Sequence, residues 1–265
     1  MEHMKTMNLM FKRMPNYHDS FPIILMWSHK SGCTTLLNWF FHHINLLDEA
    51  KKYHPWVHQY EVEVFKNNDD YAQDLVNLLL SGKKEVYKLV RNPYKRAVSA
   101  FLMLYYQDEP YWYGVWKTIR THHFGHSRNQ NGISFKQFLY YLKDTGADIS
   151  STNHHFAEQY IDGEEKYIDH YIYLEDFRHQ IPAIEEKYKL KQTDLTQFYS
   201  SHNTSRYMTH KGNYAEVSIT DPAFPVFPTY SSFYDEETKK LVDEIYQRDF
   251  EMYGYEKKFP LYKST

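Results

Sequence analysis

The chain has almost no cysteine, little glycine, no long apolar run and no excess of one charge, and each scarcity removes a class of protein. A single cysteine, Cys33, in 265 residues cannot close an internal disulfide, which excludes a disulfide-framed secreted scaffold. Nine glycines and ten prolines are few, and the chain has no internal repeat and no low-complexity linker. No stretch approaches the ~20 apolar residues of a membrane span. Residues 1–16 scatter charge where a signal peptide would be apolar, so no membrane span and a cytoplasmic location are expected. With 31 Lys and Arg against 34 Asp and Glu, the net charge of −3 provides no general basic field. Sequence-independent binding of nucleic acid is therefore not expected, and any anion must be held by a few local groups.

Aromatic residues, by contrast, are abundant: 26 Tyr, 17 Phe and 5 Trp. Rings of this size bury large areas, so most belong to the core and a minority are available to stack on a ligand. The length suits one α/β domain spanning 1–265.

Strand and helix patterns alternate along the chain. The apolar run 21–27 reads as a first strand, central and buried because it lacks alternation. Leu36, Leu37, Phe40, Phe41 and Ile44 recur at helical spacing over 34–47. Val57, Val62 and Val64 suggest a second strand within 56–65. The polar run 67–70 precedes an amphipathic helix over 71–80 closed by Gly82. A strand over 85–90 then runs into a helix opening at Pro93, where a missing N–H is harmless. Residues 105–133, with Pro110, Gly114, Gly125 and Gly132, read as an excursion. Ser134 caps a helix to about 143, a strand lies within 167–174, and helices are expected over 176–188 and 235–252. Residues 199–232 read as loop. The order predicts an α/β fold, a P-loop-like three-layer α/β/α sandwich around a central parallel sheet.

Two strand ends carry anion-reading residues. After the first strand comes Ser28-His-Lys-Ser-Gly-Cys-Thr-Thr35. A turn there running into a helix presents unpaired N–H groups of Ser31, Gly32, Cys33, Thr34 and Thr35 to a phosphate, with Lys30 adding charge. Lys30 precedes the only glycine, so this is not the G-x-x-x-x-G-K-[ST] loop of ATPases and kinases. After the later strand comes Arg91-Asn-Pro-Tyr-Lys-Arg-Ala-Val-Ser99. Arg91 offers a planar fork to phosphate oxygens, and Ser99 a hydroxyl on the following helix.

Together these segments resemble the sulfotransferases, and the run 171–177 with the ending 233–255 is closest to their carbohydrate branch. The resemblance implies 3′-phosphoadenosine-5′-phosphosulfate (PAPS) as cofactor, with the product adenosine 3′,5′-bisphosphate. It assigns the 5′-phosphosulfate to residues 30–35, the 3′-phosphate to Arg91 and Ser99, and a carbohydrate or glycoconjugate as acceptor. His29 and Leu36 depart from the family, which often has Pro and an aromatic there. The late loop of related enzymes covers the nucleotide, which makes Asn203, Arg206 and Lys211 further cofactor contacts, and 105–133 becomes an acceptor-side excursion.

Sulfuryl transfer needs a cation at the departing phosphate and a base for the acceptor hydroxyl. Lys30 fills the first role. For the second, His58 and then His54 lie between the cofactor segments, where related enzymes carry a histidine at the end of a strand; in an extended stretch the two would share a face. Glu61 and Glu63 are carboxylate alternatives. Asp108, Glu109, Tyr111 and Trp112 are candidates for holding a sugar. The His122-His123 and His154-His155 pairs lack zinc-ligand spacing, and no metal is expected. An atypical P-loop kinase or nucleotidase, and an inactive nucleotide- or glycan-binding protein, are the alternatives.

Overall fold

A computed structural model describes residues 2–106, 110–198 and 207–262. In chain order its elements are α1 Glu2–Lys12, β1 Ile24–Trp27, α2 Cys33–His43, α3 Leu47–Tyr53, α4 Val57–Tyr60 with a π-helical turn Glu61–Phe65, α5 Tyr71–Ser81, β2 Val86–Val90, α6 Pro93–Phe101, α7 Pro110–Phe124, α8 Phe135–Thr145, β3 His170–Tyr173, α9 Phe177–Lys187, α10 Glu236–Ile245 and α11 Gln247–Tyr253. They form two compact units interleaved in sequence, Met1–Arg91 with Ile161–His202, and Asn92–Tyr160 with Asn203–Thr265.

The first unit holds a parallel sheet in the order β1-β2-β3. Successive strand residues point to opposite faces. Leu25, Leu89 and Ile172 pack with Leu36, Leu37 and Phe40 of α2 and Ile181 of α9. On the other face, Ile24, Met26 and Val86 pack with Met10 of α1 and Leu75 and Leu79 of α5. Helix, sheet and helix thus make three layers, the expected α/β class. The central strand is β2, buried at every position, and not β1 as its apolar run suggested. The outer edge of β1 exchanges hydrogen bonds with Asn16 at 2.8 Å each way.

The main correction in this unit concerns 56–65, which is helical and not a strand. Its alternating valines are not a buried strand face, since Val62 and Val64 are exposed while Glu61 is buried. The Lys66 N–H donates to the Glu61 carbonyl at 2.9 Å, the five-residue step of a π turn. Helix α5 ends as expected at Gly82, whose φ of 62° suits glycine. Helix α1 arises from a segment that offered no clear apolar period.

The second unit is built of helices around Tyr94, Phe101, Trp116, Phe135, Phe138 and Phe233. Asn92 caps α6 by accepting from the Lys95 N–H at 3.3 Å, with Pro93 at the first helical position. Ser134 and Gln137 close a reciprocal capping box on α8. The expected excursion contains a fifteen-residue helix, α7. The expected helix over 235–252 breaks at Tyr246 into α10 and α11; the buried Tyr246 hydroxyl donates to the Phe156 carbonyl at 2.8 Å. Among the described residues no helix is long and apolar enough to cross a membrane.

Candidate active site

Strands β1 and β2 are parallel neighbours with Trp27 opposite Leu89, so the residues that follow them leave the same edge of the sheet. There the Arg91 guanidinium donates to the Lys30 carbonyl at 2.8 Å. The loop between β1 and α2 is braced from within: the buried Ser31 hydroxyl donates to the Ser28 carbonyl, and the Ser28 N–H donates to Ser31 Oγ at 3.3 Å. Lys30 sits at φ 68° and Gly32 at φ 94°. A left-handed lysine costs roughly 1–2 kcal/mol, strain of the kind retained at binding sites. Gly32 is required twice over, because a Cβ there would also lie 2.6 Å from Leu174 Cδ1.

These turns aim backbone donors outward. Helix α2 has no side-chain cap, and the N–H groups of Gly32, Cys33 and Thr34 receive no hydrogen-bond acceptor from the described residues. With the half-buried Lys30, Thr34 and Thr35 beside them, they form a donor set for an oxyanion. The phosphosulfate end of PAPS fits that chemistry.

His58 lies against the loop. Its Nε2 is 3.3 Å from Thr34 Oγ1, its Nδ1 is 2.6 Å from Glu61 Oε2, and its ring packs 5.2 Å from that of Trp27. Glu61 in turn accepts from Lys66 Nζ at 2.7 Å. Burial alone would push Glu61 up, but the Lys66 and His58 cations outweigh it and bring it down to about 2. Burial likewise works against the charged form of His58, yet the neighbouring Cys33 and Glu61 hold it above the ordinary histidine range. Burial raises the Cys33 thiol, and His58 and Lys30 more than reverse that, so it falls below its usual value. His58 and Glu61 come together through helical three-residue spacing, a relation legible only once 57–65 is seen to be helical. Sequence reasoning named Glu61 as a rival base and missed it as the partner of His58.

The remaining candidates are placed as follows. His54 is exposed beyond α3, its Nδ1 accepting from the Trp56 N–H at 3.0 Å, and it shares no face with His58 because the stretch is not extended. Glu63 is exposed and accepts from the Tyr53 hydroxyl at 2.8 Å. In the second unit, Ser99 is half-buried on α6, with no partner for its hydroxyl among the described residues, and Lys211 is exposed. Tyr111 is exposed and accepts from Asn153 Nδ2 at 3.1 Å. Trp112 corrects the expectation of a sugar platform: it is 2% exposed, stacked on Phe156 in the core, so its ring face is already covered. Asp108, Glu109, Asn203 and Arg206 lie outside the described residues.

A sulfotransferase family model matches residues 16–256. The chain belongs to the sulfotransferase family and is a sulfotransferase enzyme, in a family that typically uses PAPS. No curated protein and no solved structure matches it significantly.

Proposed function

We propose that the protein transfers a sulfuryl group from PAPS to a hydroxyl of a carbohydrate or glycoconjugate, with His58 as general base and residues 1–265 acting as one catalytic domain in the cytoplasm. The observation that carries the reading is the juxtaposition of a donor-rich loop over 30–35 with a buried histidine whose far nitrogen is held by a carboxylate. When bound, PAPS supplies the sulfuryl group and leaves as adenosine 3′,5′-bisphosphate.

The chain's own residues divide the work. Lys30, Thr34, Thr35 and the N–H groups of Gly32 and Cys33 hold the 5′ end, and the charge of Lys30 counts most where negative charge develops. Arg91 takes the 3′-phosphate, with Ser99 assigned by the same sequence segment, and Asn203, Arg206 and Lys211 are further candidate contacts. His58 Nε2, in the neutral ring, accepts the acceptor's proton, and Glu61 at Nδ1 stabilises the imidazolium that results. Asp108, Glu109 and Tyr111 remain candidates for orienting the acceptor. The family match runs through both units, which supports one catalytic domain.

The test is transfer of labelled sulfate from PAPS to a panel of oligosaccharides. His58→Ala should lower turnover by about 10²-fold or more with bisphosphate affinity nearly intact, while His54→Ala should leave both near normal. Equal turnover in the wild type and His58→Ala would exclude His58 as the base.

A further inference from the structure

The chain is slightly acidic overall, yet from Pro110 to Lys143 it contains no Asp or Glu. Two cations of this segment are neutralised from elsewhere in the second unit: Lys136 by Glu216 and Glu237, and Lys143 by Glu244. Two others are not. Among the described residues neither Lys117 nor Arg128 pairs with a carboxylate, and both are exposed.

Both line a cavity of about 940 Å³ within the second unit. Tyr113, Lys117 and Arg120 fall at i, i+4 and i+7 on α7 and so share one helix face. Arg120 is 8% exposed, lies 4.7 Å from the centre of the Trp116 ring, and donates to the carbonyls of Gln130 and Asn131 at 3.3 Å each. It thereby fixes the loop that carries Arg128 against the helix that carries Lys117. The wall is completed by Pro110 and by the hydrogen-bonding side chains of Ser127, Gln130 and Thr220, and among the described residues no carboxylate lines the cavity. The ammonium of Lys117 lies 4.4 Å from the centre of the Tyr113 ring.

We infer that this cavity is a binding site for a sugar carrying a tetrahedral oxyanion, a sulfate or phosphate ester. The charge of the ligand follows from three cations with no acid among the described lining residues. Its polyhydroxylated body follows from the neutral polar wall and the Tyr113 ring, and rests on the carbohydrate reading above. No residue of the loop over 30–35 proposed for the donor is among the lining residues, so a bound ester would be a recognition element and not the group transferred.

The experiment is calorimetric titration of the full chain with glucose 6-sulfate, glucose 6-phosphate and glucose, with adenosine 3′,5′-bisphosphate present at saturation so that the donor loop does not contribute. One or both esters should bind at least tenfold more tightly than glucose, and the stronger of the two identifies the source of the oxyanion. A Lys117→Gln/Arg128→Gln double variant should lose tenfold or more in ester affinity, whereas Lys240→Gln, the loss of one charge on α10, should lose nothing. Arg120 is left intact because it braces the loop, and an unchanged melting temperature checks that the double variant is folded. Equal binding of glucose and the esters, or full ester affinity in the double variant, would overturn the inference. Absence of bisphosphate binding would count against the sulfotransferase reading alone, since the ester comparison can then be run without it.

Discussion

At the scale of single residues the site depends on a chain of buried charge, Lys66 to Glu61 to His58, ending at the phosphate-type loop. Each member is costly to bury alone, and each makes burial of the next tolerable. Glu61 is the hinge of this relay. Because the folded-state pKa of His58 is raised, a rate that needs neutral imidazole climbs with pH through that raised value. Replacing Glu61 by Gln removes one of the charges that raise it, so the acidic limb of the kcat/KM profile should move down toward the ordinary histidine value of about 6.5. The stability consequence has the opposite slope. His58 contributes stability that is complete below its unfolded pKa and is lost as pH rises through the folded one, so the loss expected in the wild type at alkaline pH should begin at lower pH in Glu61→Gln. A pH-rate limb identical in the two proteins would separate Glu61 from the base.

At the scale of elements, what could be read from the sequence depended on how local its determinants were. Helix α8 was legible to its first residue because Ser134 and Gln137 satisfy each other's backbone groups within one turn. Ser134→Ala should accordingly cost about 1 kcal/mol, a fall of roughly 2–4 °C in melting temperature, and Ser134→Asp should restore it. A melting curve unmoved by Ser134→Ala would show that α8 is held by packing alone, through Phe135, Phe138 and Leu142. The stretch 57–65 was misread for a physical reason. Its valines alternate as in a strand, but the deciding interaction is the burial of Glu61 between His58 and Lys66, which no two-residue pattern encodes. Helix α7 was hidden by Gly114 and a run of rings whose period is weak, and the break at Tyr246 depends on a hydrogen bond to Phe156, ninety positions away. The strand ends that open into the loop over 28–35 and the segment from Arg91 were legible because strand, turn and helix start follow one another there within a few residues. The partner of His58 was not, because it required the correct local helix first.

At the scale of the whole molecule, two interleaved units share one family match from residue 16 to residue 256. The first brings the ends of β1 and β2 to one side of a parallel sheet, where Arg91 holds the carbonyl of Lys30. That bond ties the arginine proposed for the 3′-phosphate to the loop proposed for the 5′-phosphosulfate, and the proposal calls for a ligand with two phosphate groups. The most direct test is calorimetric titration of the intact chain with adenosine 3′,5′-bisphosphate and with AMP, in the wild type and in Arg91→Ala. The account predicts that the wild type binds the bisphosphate about tenfold or more tightly than AMP, and that Arg91→Ala removes most of that preference while sparing AMP. Equal affinity for the two nucleotides in the wild type, or an undiminished preference in Arg91→Ala, would contradict it.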